Sequence, residues 1–157
     1  MDGDSNIVTF DPRWRADFAR LNYAWINALF AVEEPDRRIL ENPEHEIIEP
    51  GGQVFIALCH DRAVGTVALK REDERTFELT KMAVDESVRG RGIGKQLLAS
   101  ALSYAQHHGA TRVVLSSHSK LTAAIAMYRA AGFIDRSDMR TSCYSRCNIY
   151  MIRELSN

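Results

Sequence analysis

The sequence predicts an α+β fold in which a mixed central sheet of six to seven strands is covered by helices on both faces. In the first half, three apolar segments are joined by short turns, which is typical of an antiparallel meander. In the second half, helical and extended patterns alternate. This alternation favours further strands of the same sheet, connected by helices that pack against its faces. The chain has 157 residues, of which 45% are hydrophobic. That size is ordinary for one globular domain, and we expect a single domain over residues 1–157.

The chain begins with a predicted short strand at residues 7–10 and a long helix. Asp11-Pro12 favours a helix start, because a capping aspartate is followed by proline. Large apolar residues then recur at spacings of three and four, which places them on one helical face that we expect to be core. They are Trp14, Phe18, Leu21, Trp25 and Leu29. We expect Glu34-Pro35 to end this helix, because the residue before proline avoids helical angles. A second short helix is predicted at residues 36–41.

Apolar patterning also predicts the later elements. Further strands are expected at residues 54–59, 63–69, 77–84, 113–115 and 147–152. A helix is predicted from Ile93, where one apolar face begins, to the region of Gly109. Another is predicted with Ser119 as its cap and Gly132 as its C-terminal glycine.

Composition narrows the possible partners and compartments. The chain has 20 Lys+Arg and 21 Asp+Glu, a net charge of −1, which argues against nucleic-acid binding through many cationic phosphate contacts. Its longest apolar run, residues 54–59, is too short to cross a bilayer, so we expect no membrane partner. An acidic N-terminus and only three cysteines predict a cytoplasmic protein. Cys143 and Cys147 lack a second pair of zinc ligands, so no metal is expected.

The most informative segment is a glycine-rich turn between a predicted strand and a predicted helix. It reads Arg89-Gly90-Arg91-Gly92-Ile93-Gly94-Lys95. Glycines let the backbone approach a ligand, and the first amides of a helix attract anions, so this turn predicts a phosphate or pyrophosphate site. A dinucleotide fingerprint would need glycine in place of Lys95. A P-loop would need glycine in place of Arg89 and Ser or Thr in place of Gln96.

The pattern R-x-x-G-x-G, formed by Arg89, Gly92 and Gly94, resembles the acyl-CoA pyrophosphate loop of the GNAT N-acetyltransferase superfamily. Residues 78–84 resemble the fourth strand of that family. Residues 121–133 resemble the family's helix beside the cofactor thiol, with A-I-x-x-Y followed by G-F. One departure is Leu121, where members often carry asparagine. The asparagine contact to the cofactor is therefore either missing or supplied by Ser117, Ser119 or Lys120.

The resemblance implies a GNAT-type fold and direct transfer of acetyl from acetyl-CoA, without a metal, to a primary amine of a small molecule or peptide. It implies that Tyr128 is the general acid for the departing thiolate, since a neutral phenol can donate a proton. Glu78 is the candidate base, acting on the amine directly or through a water, and Thr80 would share its strand face. The implied cofactor-binding residues are Met82, Ala83, Val84, Arg89, Gly90, Arg91, Gly92, Ile93, Gly94, Lys95 and Ser117.

Two other functions fit parts of the sequence. One is an acyl-CoA-binding sensor or regulatory module without turnover, which the Leu121 departure favours and Tyr128 disfavours. The other is a nucleotide-phosphate binder. The sequence allows either a monomer or a homodimer.

An acidic segment offers a hypothesis about the acceptor. Its acids are Glu33, Glu34, Asp36, Glu41, Glu44, Glu46 and Glu49, against only Arg37 and Arg38. These residues form either a solvated connection or an acidic rim that attracts a cationic amine.

Overall fold

The structure is a computed structural model that describes residues 5–139 and 144–155. Within these residues, seven strands form one mixed sheet in the order β1-β2-β3-β4-β5-β7-β6. The strands are β1 (Ser5–Thr9), β2 (Gln53–Cys59), β3 (Arg62–Arg71), β4 (Thr76–Val84), β5 (Arg112–Ser117), β6 (Ile134–Asp135) and β7 (Ile149–Glu154). Neighbours pair antiparallel except β4 and β5, which are parallel. The predicted meander is therefore confirmed in β2, β3 and β4.

In the described part of the chain, four α-helices cover the two faces of the sheet. They are α1 (Arg15–Leu29), α2 (Glu34–Glu41), α3 (Ile93–His107) and α4 (Thr122–Ala130). On one face α1 and α2 pack into a core that includes Phe18 and Leu40, both fully buried. On the other face α3 and α4 pack into a core that includes Phe77 and Leu97. This confirms the predicted α+β fold. No helix in the described part of the chain is both long and apolar enough to span a membrane.

The boundary between the first two helices differs from the prediction. Helix α1 ends at Leu29, and Glu34-Pro35 begins α2 instead of ending α1. Proline has no N–H group, and it is tolerated there because the N–H groups in the first turn of a helix have no partner within the helix. The side chains of Glu33 and Asp36 form a capping box. Glu33 accepts a hydrogen bond from the backbone N–H of Asp36, and Asp36 accepts one from the backbone N–H of Glu33. Upstream, Asp11 caps a short 3₁₀ turn, Pro12–Trp14, which leads into α1.

Three smaller boundaries also differ. Helix α4 begins at Thr122 after Leu121, so Ser119 is not its cap. The last strand begins at Ile149, two residues later than predicted. Strand β6 was not predicted, because two exposed residues are too few to show a period.

A bulge interrupts β4 in its second half. Thr80 lies opposite Ala68 and Ala83 lies opposite Thr66, so Lys81 and Met82 together face one residue of β3. Lys81 takes the left-handed conformation, with φ of 56°, at this point. Ala68 belongs to the core beneath α1 and α2, so Thr80 faces that side. Lys81 also points to that side, because its ammonium reaches Asp36 of α2. Without the bulge, strand alternation would put Lys81 on the opposite face.

Beyond the first half of β4, the two parallel strands separate. They pair only from Thr76 opposite Arg112 to Leu79 opposite Leu115. Yet β4 continues beside β3 to Val84, and β5 continues beside β7 to Ser117. The backbones therefore diverge, and a gap opens inside the sheet.

The core beneath α1 and α2 yields a stability prediction. Phe18 is fully buried there, so Phe18→Ala is expected to lower the free energy of unfolding by about 3–5 kcal/mol. Urea unfolding at constant m-value measures the loss. Ile134→Ala is the control, because Ile134 is 65% exposed and its loss should change stability by less than about 0.5 kcal/mol. Equal effects of the two substitutions would contradict this assignment of the core.

Candidate active site

The gap between β4 and β5 opens into a cleft of about 870 Å³. Residues 78–84 of β4 and 115–117 of β5 form its floor, and α1 and α4 form its sides. The apolar stripe of α1 divides between two roles. Phe18 is core, as expected, whereas Leu21, Trp25 and Leu29 line the cleft.

Most of the residues implied as functional meet in this cleft. Those that line it are Glu78, Met82, Ala83, Val84, Arg89, Gly94, Ser117 and Tyr128. The other implied residues, Gly90, Arg91, Gly92, Ile93 and Lys95, lie in the adjoining loop and the first turn of α3 without lining the cleft. The Ile93 side chain is buried in the core, so only its backbone can face a ligand.

The loop before α3 has the geometry of an anion site. Gly90 and Gly92 are left-handed, with φ of 83° and 80°, which favours glycine at both positions. Gly92 is the N-cap residue and offers no side chain to the first amides of α3. These amides keep their donors available at the positive end of the helix dipole. Arg89 Nε donates to the Val84 carbonyl at 3.3 Å, which ties the loop to the end of β4.

Tyr128 enters the cleft from α4. Its side chain is buried, and its ring packs edge-on against Phe133 with centroids 5.8 Å apart. Burial raises the pKa of the phenol to about 12, so the hydroxyl stays protonated at neutral pH. A neutral hydroxyl in an apolar wall is a hydrogen-bond donor for a developing anion.

Glu78 lies on β4 and is partly buried at the floor of the cleft. Burial, together with the charge of Glu72, raises the pKa of its carboxyl to about 7, while Lys70 and Lys81 oppose the rise. A carboxyl group that titrates near neutral pH suits general base catalysis. Thr80 also lines the cleft, and two-residue periodicity places it on the same face of β4, as the sequence predicts.

A buried ion cluster beside Glu78 was missed in the sequence. Lys81 Nζ donates to Asp36 Oδ1 at 2.6 Å and to the Tyr144 hydroxyl at 2.9 Å. Arg146 holds the same carboxylate with two hydrogen bonds, of 2.7 and 2.8 Å. The exposed fractions of the Asp36 and Lys81 side chains are 0% and 1%, and that of Arg146 is 9%. The guanidinium also stacks over the Tyr144 ring, 4.5 Å from its centroid.

The pKa of the Asp36 carboxyl shows that the neighbouring cations strongly favour the charged form of this group. Burial alone would raise the pKa of Asp36, but hydrogen bonds from Arg146 and Lys81 hold it at about 2. Burial lowers the pKa of Lys81, and the Asp36 carboxylate opposes that shift.

The acidic segment does not border the cleft. None of its seven acids is among the lining residues. Asp36 is buried in the ion cluster, Glu44 pairs with Arg15, and Glu33 lies 3.5 Å from Arg146. The acidic-rim hypothesis is therefore wrong for this cleft, and the alternative of a charged connection fits better. Asp36 fits neither an acidic rim nor a solvated connection, because it is the one acid of the segment that is buried.

Leu121 lines the cleft, and so do two of the three residues that could replace the missing asparagine contact. Ser117 and Lys120 line the cleft, but Ser119 does not. The Lys120 ammonium donates to the Leu29 carbonyl at 2.8 Å, at the end of α1. Across residues 5–139 and 144–155, no group of three His, Cys, Asp or Glu side chains could hold a metal ion.

The separation of β4 from β5 and the glycine loop beside it define an acyltransferase of the class that the sequence resembles. Comparison with family models supports this class: the model described as "Acetyltransferase (GNAT) family" matches residues 18–133. The chain belongs to the acetyltransferase (GNAT) family.

Comparisons with individual known proteins agree with this family assignment. The chain is 36% identical over 85 residues to human N-acetylaspartate synthetase, a match that covers 54% of this chain but 28% of that protein. The chain thus spans under a third of that relative's length. A GNAT-family acetyltransferase from Staphylococcus aureus superposes with a TM-score of 0.88 at 26% identity, over 97% of this chain and 99% of that one. Salmonella typhimurium yncA, solved with acetyl-CoA, shares the fold with a TM-score of 0.75 at 17% identity, over 99% and 96% of the two chains.

The ion cluster yields a second stability prediction. Asp36→Asn should cost about 3 kcal/mol or more, because it leaves two buried cations without their counter-charge. Glu44→Gln is the matched control. Its partner Arg15 is half-exposed, so its loss should cost less than about 1 kcal/mol.

The pH dependence of the Asp36 effect follows from its lowered pKa. The stabilisation is present above the ordinary carboxyl pKa of 3.8 and is lost as the pH falls to about 2. Urea unfolding of wild type and Asp36→Asn across this range should show their stabilities converging in acid. A difference that persists unchanged at pH 2 would contradict the assignment.

Proposed function

We propose that this protein is an acetyl-CoA-dependent N-acetyltransferase that acetylates a primary amine of a small molecule or peptide by direct attack. The observation that carries the proposal is the separation of β4 from β5 beside a cation-rich glycine loop. Family membership supports it, and so does acetyl-CoA in the structure of yncA. We expect one domain over residues 1–157, acting in the cytoplasm as a monomer or homodimer.

The cofactor would lie along the cleft. Its pyrophosphate would sit on the open amides of α3, with Arg89, Arg91 and Lys95 supplying positive charge. Its pantetheine arm would pair with the backbone of residues 82–84, where β4 has lost its partner β5. Ser117, which lines the cleft from β5, would face this arm from the opposite side of the gap. In this arrangement the thioester reaches the middle of the cleft, near Tyr128.

Two protons must leave the acceptor nitrogen for each acetyl group transferred. Glu78 takes the first from the ammonium, directly or through a water, and later releases it to solvent. The amine then attacks the thioester carbonyl, the C–N bond forms, and the C–S bond breaks. The second proton leaves the nitrogen as the intermediate collapses, and one proton ends on the coenzyme A sulfur.

Tyr128 stabilises the departing sulfur. A phenol with a pKa of about 12 is a weaker acid than an ordinary thiol, whose pKa is about 8.5. The hydroxyl therefore favours donating a hydrogen bond to the thiolate over surrendering its proton outright. Any proton that it gives must be replaced by the one leaving the amine.

Cofactor binding is tested by thermal unfolding. Acetyl-CoA at about 100 times its Kd should stabilise the fold by roughly 2.7 kcal/mol, which raises the Tm by several degrees for a chain of this size. Arg89→Glu should abolish the shift, because it reverses the charge beside the pyrophosphate site. ATP and NAD are the control ligands. A shift with ATP or NAD equal to that with acetyl-CoA would instead favour a nucleotide-phosphate binder.

Turnover is tested with Tyr128→Phe and Glu78→Gln against a panel of amines. The panel includes L-aspartate, because a relative is named N-acetylaspartate synthetase. Each substitution should lower kcat by about 10²–10⁴-fold, the usual contribution of one acid or base, while the Kd of acetyl-CoA stays unchanged. The acid limb of kcat/KM, expected near pH 7 in wild type, should disappear in Glu78→Gln. Tight acetyl-CoA binding without turnover on any amine would favour the sensor function.

A further inference from the structure

The charges of the ion cluster do not cancel. Lys81 and Arg146 each bring one positive charge, and Asp36 brings the single negative charge that both of them bind. All three side chains are nearly or fully buried, so water screens their charges poorly. Glu33 also approaches Arg146, at 3.5 Å, but its side chain is 24% exposed. Its charge is therefore better screened, and the buried part of the cluster keeps an excess of positive charge.

The bulge directs that positive charge toward Glu78. It turns Lys81 onto the face of β4 that carries Glu78 and Thr80, and both Glu78 and Lys81 line the cleft. The two groups are close enough for the charge of each to affect the pKa of the other. A regular strand would have placed Lys81 on the far face of the sheet.

Other charges around Glu78 offset one another or lie toward solvent. From β3 comes Lys70, which lies directly opposite Glu78, and from the turn after β3 comes Glu72; the two have opposite signs and are at least partly exposed. From β7 comes Tyr150, a phenol that is neutral at pH 7. The charged residue that α1 brings to the cleft, Arg20, already pairs with Asp17. Val114 of β5, opposite Glu78, has no charge. Lys81 is thus the buried cation on the same strand face.

The geometry points to Lys81 as a positioning residue of the proposed reaction, acting through Glu78: its buried ammonium supplies positive charge that favours the ionised form of the Glu78 carboxyl where the acceptor amine must lose its proton. Asp36 and Tyr144 accept hydrogen bonds from the ammonium, and Arg146 in turn holds Asp36. This inference rests on the proposed function only for its consequence in turnover, because the effect of Lys81 on Glu78 is measurable without catalysis.

The test compares the titration of Glu78 in wild type and in Lys81→Met. Methionine keeps much of the side-chain volume, and Asp36 retains its two hydrogen bonds from Arg146. Removing the positive charge should raise the pKa of Glu78 by up to about one unit, the lower end of the effect of one nearby opposite charge. The carboxyl ¹³C resonance reports it in NMR titrations, and Glu78→Gln identifies that resonance by its disappearance. The acid limb of kcat/KM should move to higher pH by the same amount.

Two variants separate this charge effect from packing. Lys81→Arg keeps the charge and should return the Glu78 titration toward the wild-type value. Arg37→Met removes one positive charge from α2, but that side chain is 53% exposed, so the pKa of Glu78 should not move. If Lys81→Met does not fold, Lys81→Gln removes the same charge while its amide can still donate to Asp36, and it should shift the titration in the same direction.

An unchanged Glu78 titration in Lys81→Met, with the fold intact, would overturn the inference. Failure of the proposed function has a different signature. In that case the wild-type protein would acetylate no amine of the panel, and if only the base role of Glu78 fails, Glu78→Gln would retain full turnover. The NMR titration would still decide the effect of Lys81 in either case.

Discussion

Strands β4 and β5 share four residue pairs and then separate, and the functional groups of the cleft take their places around that separation. Backbone amides and carbonyls that would have continued the ladder face a gap instead, and buried backbone groups need partners. A ligand that runs along β4 can supply them. The same separation admits Tyr128 from α4 on one side and the apolar residues of α1 on the other. One interruption of the sheet thus creates both the binding slot and the access for its side chains.

The ion cluster joins α2 and the segment before β7 to the strand that would bind the cofactor. Asp36 belongs to α2, Lys81 to the β4 bulge, and Tyr144 and Arg146 to the segment before β7. Burying three charges is favourable only when their geometry and hydrogen bonds are nearly complete. Small displacements of α2 or of this segment are therefore costly. A residue with positive φ also carries local strain, and the same contacts hold Lys81 in that conformation.

Local signals predicted much of this molecule. Alternation and short turns predicted the meander, and glycines among cations predicted the loop, because each signal lies within a few residues. The features that were missed depend on tertiary pairing. Nothing in the residues around Lys81 marks a bulge, because the bulge exists only in the register between β3 and β4. Asp36 looked like one acid among seven, since its two cationic partners lie 45 and 110 residues away. Glu34-Pro35 was ambiguous because proline both ends helices and begins them.

Tyr144 and Arg146 lie beyond residue 133, where the match to the family model ends. They line the cleft from a short stretch before β7, in which Tyr144 accepts a bond from Lys81, Arg146 bonds to Asp36 and Ser145 bonds to Glu33. Exchanging that stretch changes one wall of the cleft without altering a residue of the glycine loop or of α4, but it also removes contacts that hold Lys81 in the β4 bulge. For the protein engineer, this stretch is a place to reshape that wall, provided that the graft preserves a cation opposite Asp36 and a hydrogen-bond acceptor for Lys81.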